Sequence, residues 1–131
     1  MSQKVLLLDD DAGMVRVLQL GLEKHGYEVC AALSSREAVE ACNDEFKPDI
    51  LLTDWLLKES DDGLTVARRV LKHSPEAAVV VMTGLPSEEV LRRASDVRID
   101  AVVQKPARIA DVVRVLEECS DARPQPTDRS I

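Results

Sequence analysis

The chain has 131 residues, enough for one domain built around one core. Apolar residues make up 45% and charged residues 31%, a globular composition, and the formal charge of -7 argues against direct binding of nucleic acid or an anionic membrane, which need concentrated positive charge. No apolar run approaches the length of a membrane span.

The chain opens MSQKVLLLDDD. Its apolar run, Val5 to Leu8, is too short for a secretory signal and stops at three aspartates. It suits a strand buried on both faces. Residues 12–25 carry Val15, Leu18 and Leu22 at helical spacing, and Gly26 is a natural stop. Val29 to Leu33 predicts a second strand. Ser34 with Glu37 three residues later is a capping box that opens a helix over 35–43. Ile50 to Leu52 predicts the third strand. A helix over 64–73 follows, with Ala67, Val70 and Leu71 on one face and Pro75 beyond its end. Val79 to Met82 predicts the fourth strand. The helix over 87–95 begins at Ser87, with Glu88 and Glu89 in its positive first turn. Ala101 to Val103 predicts the fifth strand, and residues 108–119 form the last helix through Ile109, Val112, Val113 and Leu116. The remainder, SDARPQPTDRSI (120–131), is polar and proline-bearing and predicts a disordered tail or the start of a linker after a domain spanning 1–119.

The order is βα repeated five times. Right-handed crossovers turn that order into an α/β fold, a doubly wound parallel sheet with helices on both faces. Cys30, Cys42 and Cys119 are widely spaced and odd in number, which predicts reduced thiols, a cytoplasmic setting and a packing role as small hydrophobes. His25 and His73 fall near helix ends in polar stretches and read as surface residues.

Chemistry concentrates where the strands end. The first run leads into Asp9 and Asp10, the third into Asp54, the fourth into Thr83, and the fifth into Gln104 and Lys105. Open α/β sheets bind ligands at the carboxyl ends of their strands, so these groups meet at one edge. Three carboxylates brought close repel one another. A hard divalent cation relieves the repulsion, and Mg2+ favours one or two carboxylates, waters and phosphate oxygens. With an ammonium and a hydroxyl added, the edge is furnished for a phosphoryl group, and the carboxylate on the central strand is the evident nucleophile. Plainer roles suit the neighbours. Asp11 reads as a helix N-cap, Asp61-Asp62-Gly63 as a turn, Trp55 as loop packing, and Arg68, Arg69, Arg92 and Arg93 as solvated helix faces.

Taken in order, LLLDDD (Leu6 to Asp11), LLTDW (Leu51 to Trp55), DDG (Asp61 to Gly63), MTG (Met82 to Gly84) and QKP (Gln104 to Pro106) resemble the receiver domains of two-component response regulators, over about residues 4–119. The resemblance implies a five-stranded, flavodoxin-like sheet of order 2-1-3-4-5. It implies Asp54 as the phospho-acceptor and Asp9, Asp10, Asp54 and the backbone carbonyl of Leu56 around Mg2+, or Mn2+ in its place. Thr83 and Lys105 then bind phosphoryl oxygens and switch, Gly84 keeps the approach open, and the Lys105–Pro106 bond is cis. The implied partners are a histidine kinase or phosphotransfer protein and an output partner that the chain does not identify, with no nucleic acid and no membrane.

Two other functions compete: a pseudo-receiver that binds protein without phosphorylation, and an aspartyl phosphohydrolase. The second usually has an aspartate two residues after its nucleophile, where this chain has Leu56. Three departures from the family stand out. The stretch from Asp54 to Gly63 is one residue longer and lacks the usual proline, Val102 replaces an aromatic residue, and Ala107 replaces a frequent phenylalanine.

Overall fold

The structure, a computed structural model, describes residues 3–43, 45–55, 63–94 and 96–122, with side chains through residue 120. Strands and helices alternate: β1 (Lys4–Leu8), α1 (Ala12–Lys24), β2 (Glu28–Ala32), α2 (Ser35–Ala41), β3 (Ile50–Asp54), α3 (Gly63–His73), β4 (Ala78–Thr83), α4 (Ser87–Arg93), β5 (Ala101–Gln104) and α5 (Ile109–Ala122). The strands form one parallel sheet in the order β2-β1-β3-β4-β5. No helix among the described residues is long and apolar enough to cross a membrane.

Successive side chains of a strand point to opposite faces, and the apolar runs feed two cores accordingly. Val5, Leu7, Ile50, Leu52, Val80 and Met82 pack with Leu18 and Leu22 of α1 and Val112 and Leu116 of α5. Leu6, Leu8, Leu51, Val79 and Val81 pack on the other face with Ala38 of α2, Val66 and Val70 of α3 and Val90 of α4. That double burial explains why the strands read as continuous apolar runs rather than as alternating ones. Trp55, 2% exposed, belongs to the second core, which is the packing role expected of it.

Helices α1 and α2 start at their side-chain caps, whereas α4 starts after Pro86 without one. Asp11 Oδ1 accepts from the backbone N–H groups of Gly13 and Met14 at 3.0 and 3.2 Å. Ser34 Oγ accepts from Glu37 N–H at 3.1 Å, while the Glu37 carboxylate reaches back to Leu33 N–H at 3.2 Å. Gly26, just beyond the end of α1, takes a left-handed φ of 91° that suits glycine.

The helix ends depart from expectation. Helix α2 stops at Ala41 rather than at 43, because the Asn43 side chain accepts from Glu45 and Phe46 N–H at 2.8 and 3.1 Å and turns the chain. Helix α5 runs to Ala122, so residues 120–122 are helical rather than part of a tail. Ser120 Oγ donates to Gln3 Oε1 at 2.6 Å, tying this end of α5 to the approach to β1. His73 is half-buried rather than a surface residue, and so are Cys30 and Cys42; Cys119 is buried.

Candidate functional site

Strand register sets the level of every candidate group. Leu8 pairs with Thr53, Asp54 with Met82, and Thr83 with Gln104. Asp9 and Asp54 therefore leave the sheet at one level, with Thr83 one residue and Lys105 two residues further along their strands. Backbone hydrogen bonds hold the edge together beyond the ladder: Trp55 N–H donates to Met82 C=O at 3.0 Å, and Lys105 N–H to Thr83 C=O at 2.8 Å.

The carboxylates of Asp9, Asp10 and Asp54 converge, with one oxygen from each lying within 4.8 Å of the others. Asp9 is 1% exposed and both its oxygens are engaged. Oδ1 accepts from Asp11 N–H at 3.0 Å, and Oδ2 accepts from Lys105 Nζ at 3.1 Å. The same ammonium lies 3.3 Å from Asp54 Oδ2. Among the described residues, one ammonium bridging two carboxylates, with a third beside them, leaves a surplus of negative charge. That surplus and the all-oxygen donor set fit a hard divalent cation.

The pKa directions express this crowding. Burial pushes the Asp54 carboxyl up; Lys105 pulls it back, while the charges of Asp9 and Asp10 add to the rise. For Lys105, burial is the largest single influence and acts downward. The hydrogen bonds and charges of Asp9 and Asp54 together outweigh it, and the ammonium is held above its usual range.

Thr83 is 3% exposed, and its Oγ1 accepts from Leu85 N–H at 3.0 Å. The Lys105–Pro106 bond is cis. Among the described residues, a Cβ at Gly84 would meet no atom within 4 Å, so open space lies in front of that glycine. The Leu56 carbonyl and the lengthened stretch after it lie outside the described residues. A cavity of about 410 Å³ lined by Lys47, Asp49, His73 and Ser74 belongs to a different part of the molecule, at the strand starts. The carboxylate cluster lies apart from it, at the carboxyl ends of the strands.

Sequence reasoning passed over two residues. Gly63 reads as a turn, yet it is the buried first residue of α3, and its N–H donates to Trp55 C=O at 3.1 Å. A Cβ there would sit 2.4 Å from the backbone carbonyl oxygen of Asp54. The DDG motif was the available signal, since a glycine at a helix start beside a catalytic-looking carboxylate invites a close approach. Gln104 reads as a spacer before Lys105, yet its side-chain amide donates to Leu85 C=O at 2.8 Å and to Ser87 Oγ at 3.2 Å. Nothing in the sequence announces that pairing.

Comparison with known proteins agrees with this architecture. The model of the response regulator receiver domain matches residues 5–117. The chemotaxis protein CheY of Thermotoga maritima is 31% identical over 121 residues, which cover 92% of this chain and 99% of that protein. Among solved structures, the chemotaxis protein CheY4 of Vibrio cholerae superposes with a TM-score of 0.83 at 21% identity, over 91% of this chain and 99% of that one, a likeness of fold. A response regulator of Burkholderia pseudomallei, solved with a phosphorylated aspartic acid, a calcium ion and citrate, superposes with a TM-score of 0.79 at 27% identity over 92% of this chain and 70% of that one. With matching motifs, strand order and acidic edge, the chain belongs to the response regulator receiver domains, signalling modules of the chemotaxis-receiver type rather than classical enzymes.

Proposed function

We propose that Asp54 is a phospho-acceptor, charged by a histidine kinase or a phosphotransfer protein, and that its modification alters the surface presented to an output partner. The observation that carries this reading is the Lys105 ammonium set between Asp9 and Asp54 at 3.1 and 3.3 Å, with Asp10 alongside. It supplies a carboxylate nucleophile, a fixed positive charge and an acidic metal pocket within one cluster. The Burkholderia relative, with its phosphorylated aspartate and calcium ion, lends the reading weight.

Asp54 attacks phosphorus in line while the P–N bond of a phosphohistidine breaks and the departing imidazole takes up a proton. Lys105 leaves its contact with the Asp54 carboxylate oxygen and pairs with a phosphoryl oxygen. Thr83 donates its hydroxyl to another. Asp10 and Asp54, with the Leu56 carbonyl, would hold Mg2+, and Asp9, already engaged by Lys105 and Asp11 N–H, would complete the acidic pocket beside them. A cation held there would supply positive charge against the charge that shifts in the transition state. Mn2+ satisfies the same donors. A cytoplasmic location, where the free cysteines stay reduced, accompanies this reading.

Incubation with a small phosphoramidate donor and Mg2+, followed by intact-mass analysis, tests the proposal. One phosphoryl group is expected on the wild type and none on Asp54→Asn. A wild type that takes up none would leave the pseudo-receiver reading, and uptake by the asparagine variant would move the acceptor elsewhere.

A further inference from the structure

The loop between β4 and α4 is gripped at one residue from two directions. Leu85 N–H donates to Thr83 Oγ1 at 3.0 Å, and Leu85 C=O accepts from the Gln104 amide at 2.8 Å. The first bond belongs to the loop itself. The second crosses from the last residue of β5, nineteen positions along the chain, and the same amide reaches Ser87 Oγ at the start of α4. Gln104 lies two residues after Val102, so the two side chains project from the same face of β5. Val102 packs into the core beneath α4 and is stiff at χ1.

These contacts couple Thr83 to β5. If the Thr83 hydroxyl turns toward a group on Asp54, Leu85 N–H must follow it or lose its acceptor. Following it displaces Leu85 C=O, which Gln104 holds. Keeping every bond keeps Thr83 where it is. Losing the Gln104 bond frees the loop at the cost of one neutral hydrogen bond.

We propose that Gln104 is a positioning residue, a tether that holds the β4–α4 loop and Thr83 in the unphosphorylated arrangement and transmits their release to the end of β5. The proposal rests on Asp54 being the acceptor and on Thr83 answering it. It assigns to a hydrogen bond the coupling between loop and strand that Val102, short and inflexible, cannot provide by changing rotamer.

Beryllofluoride with Mg2+, a mimic of the acyl phosphate, provides the test on the intact chain. Its affinity is read from Trp55 fluorescence and from the amide resonances of Leu85 and the Gln104 side chain. Gln104→Ala and Gln104→Leu both remove the donor, and the second keeps most of the volume. Because Gln104 is exposed, both variants are expected to melt close to the wild type. Each should bind the mimic about two- to tenfold more tightly, as the loss of one neutral hydrogen bond from the unbound arrangement implies. Ser87→Ala, which removes only the secondary acceptor, should bind as the wild type does. In the wild type the Gln104 side-chain amide signal should move when the mimic binds, a change that a purely structural contact would not undergo. Unchanged or weaker binding by both variants overturns the tether. Failure of the wild type itself to bind the mimic overturns both the tether and the phospho-acceptor reading beneath it, and the two failures are told apart by the wild-type titration alone.

Discussion

Burial, together with the charges of Asp9 and Asp10, disfavours the ionised form of Asp54 in the folded chain, and Lys105 offsets only part of that. The folded pKa therefore lies above the unfolded one, and the sign of the consequence follows from linkage. Between the two values the folded state binds more protons, so the contribution of this group to stability is present at low pH and is lost as pH rises through the raised pKa. At neutral pH with EDTA present, Asp54→Asn should thus melt higher than the wild type, and the gap should shrink as pH falls into the ordinary carboxylate range. Thermal melts across that range decide the matter, and a variant melting lower at neutral pH contradicts the electrostatic account. Gly63 presents the opposite case, a residue where a single methyl group is harmful. Its Cβ would lie 2.4 Å from the Asp54 carbonyl oxygen, a backbone atom that cannot swing aside. Gly63→Ala should cost about 1–3 kcal/mol of stability, the usual range for overpacking, and should weaken Mg2+ binding by displacing the end of β3. Denaturant titration and a metal titration read the two effects, and a variant unchanged in both would mean that the contact relaxes freely.

Among the elements, α1 couples a cap to the acidic edge. Asp11 caps the helix through its side chain while its own N–H donates to Asp9 Oδ1 at 3.0 Å. Only the first of these depends on the side chain. Asp11→Ala should therefore lose about 1 kcal/mol in denaturant unfolding yet keep its Mg2+ affinity within about twofold, because the hydrogen bonds around Asp9 that organise the pocket are retained. A large loss of metal affinity would make Asp11 part of the site. The strands were legible because burial on both faces writes an unbroken apolar run, and the groups of the acidic edge were legible because each lies within two residues of the end of such a run. Helix ends were less so. Asn43 decides where α2 stops by side-chain hydrogen bonds to the following turn, and Ser120, inside α5, bonds Gln3 across the fold. Gly63 and Gln104 were missed for a related reason. The importance of Gly63 lies in a close backbone approach to Asp54 that leaves no room for a side chain, and that of Gln104 in a carbonyl that only the folded sheet brings near.

For the molecule as a whole, a cation held by Asp9, Asp10 and Asp54 would link its binding to folding, since that cluster exists only in the folded chain. Saturating Mg2+ at about a hundred times its dissociation constant should add roughly 2.7 kcal/mol to unfolding, and EDTA should remove that increment. The same comparison on Asp54→Asn should give a much smaller increment, and an equal one would locate the cation elsewhere. The strand order β2-β1-β3-β4-β5 puts the first strand near the middle of the sheet and the last at an edge. Asp9 consequently waits for a lysine ninety-six residues further along the chain. During synthesis the acidic residues emerge first, and neither Lys105 nor the neighbour that Gln104 offers Leu85 exists until β5 has left the ribosome and docked. A nascent or truncated chain ending before β5 has an acidic edge but no ammonium to govern it, so competence to receive a signal arrives last and marks the completion of the sheet.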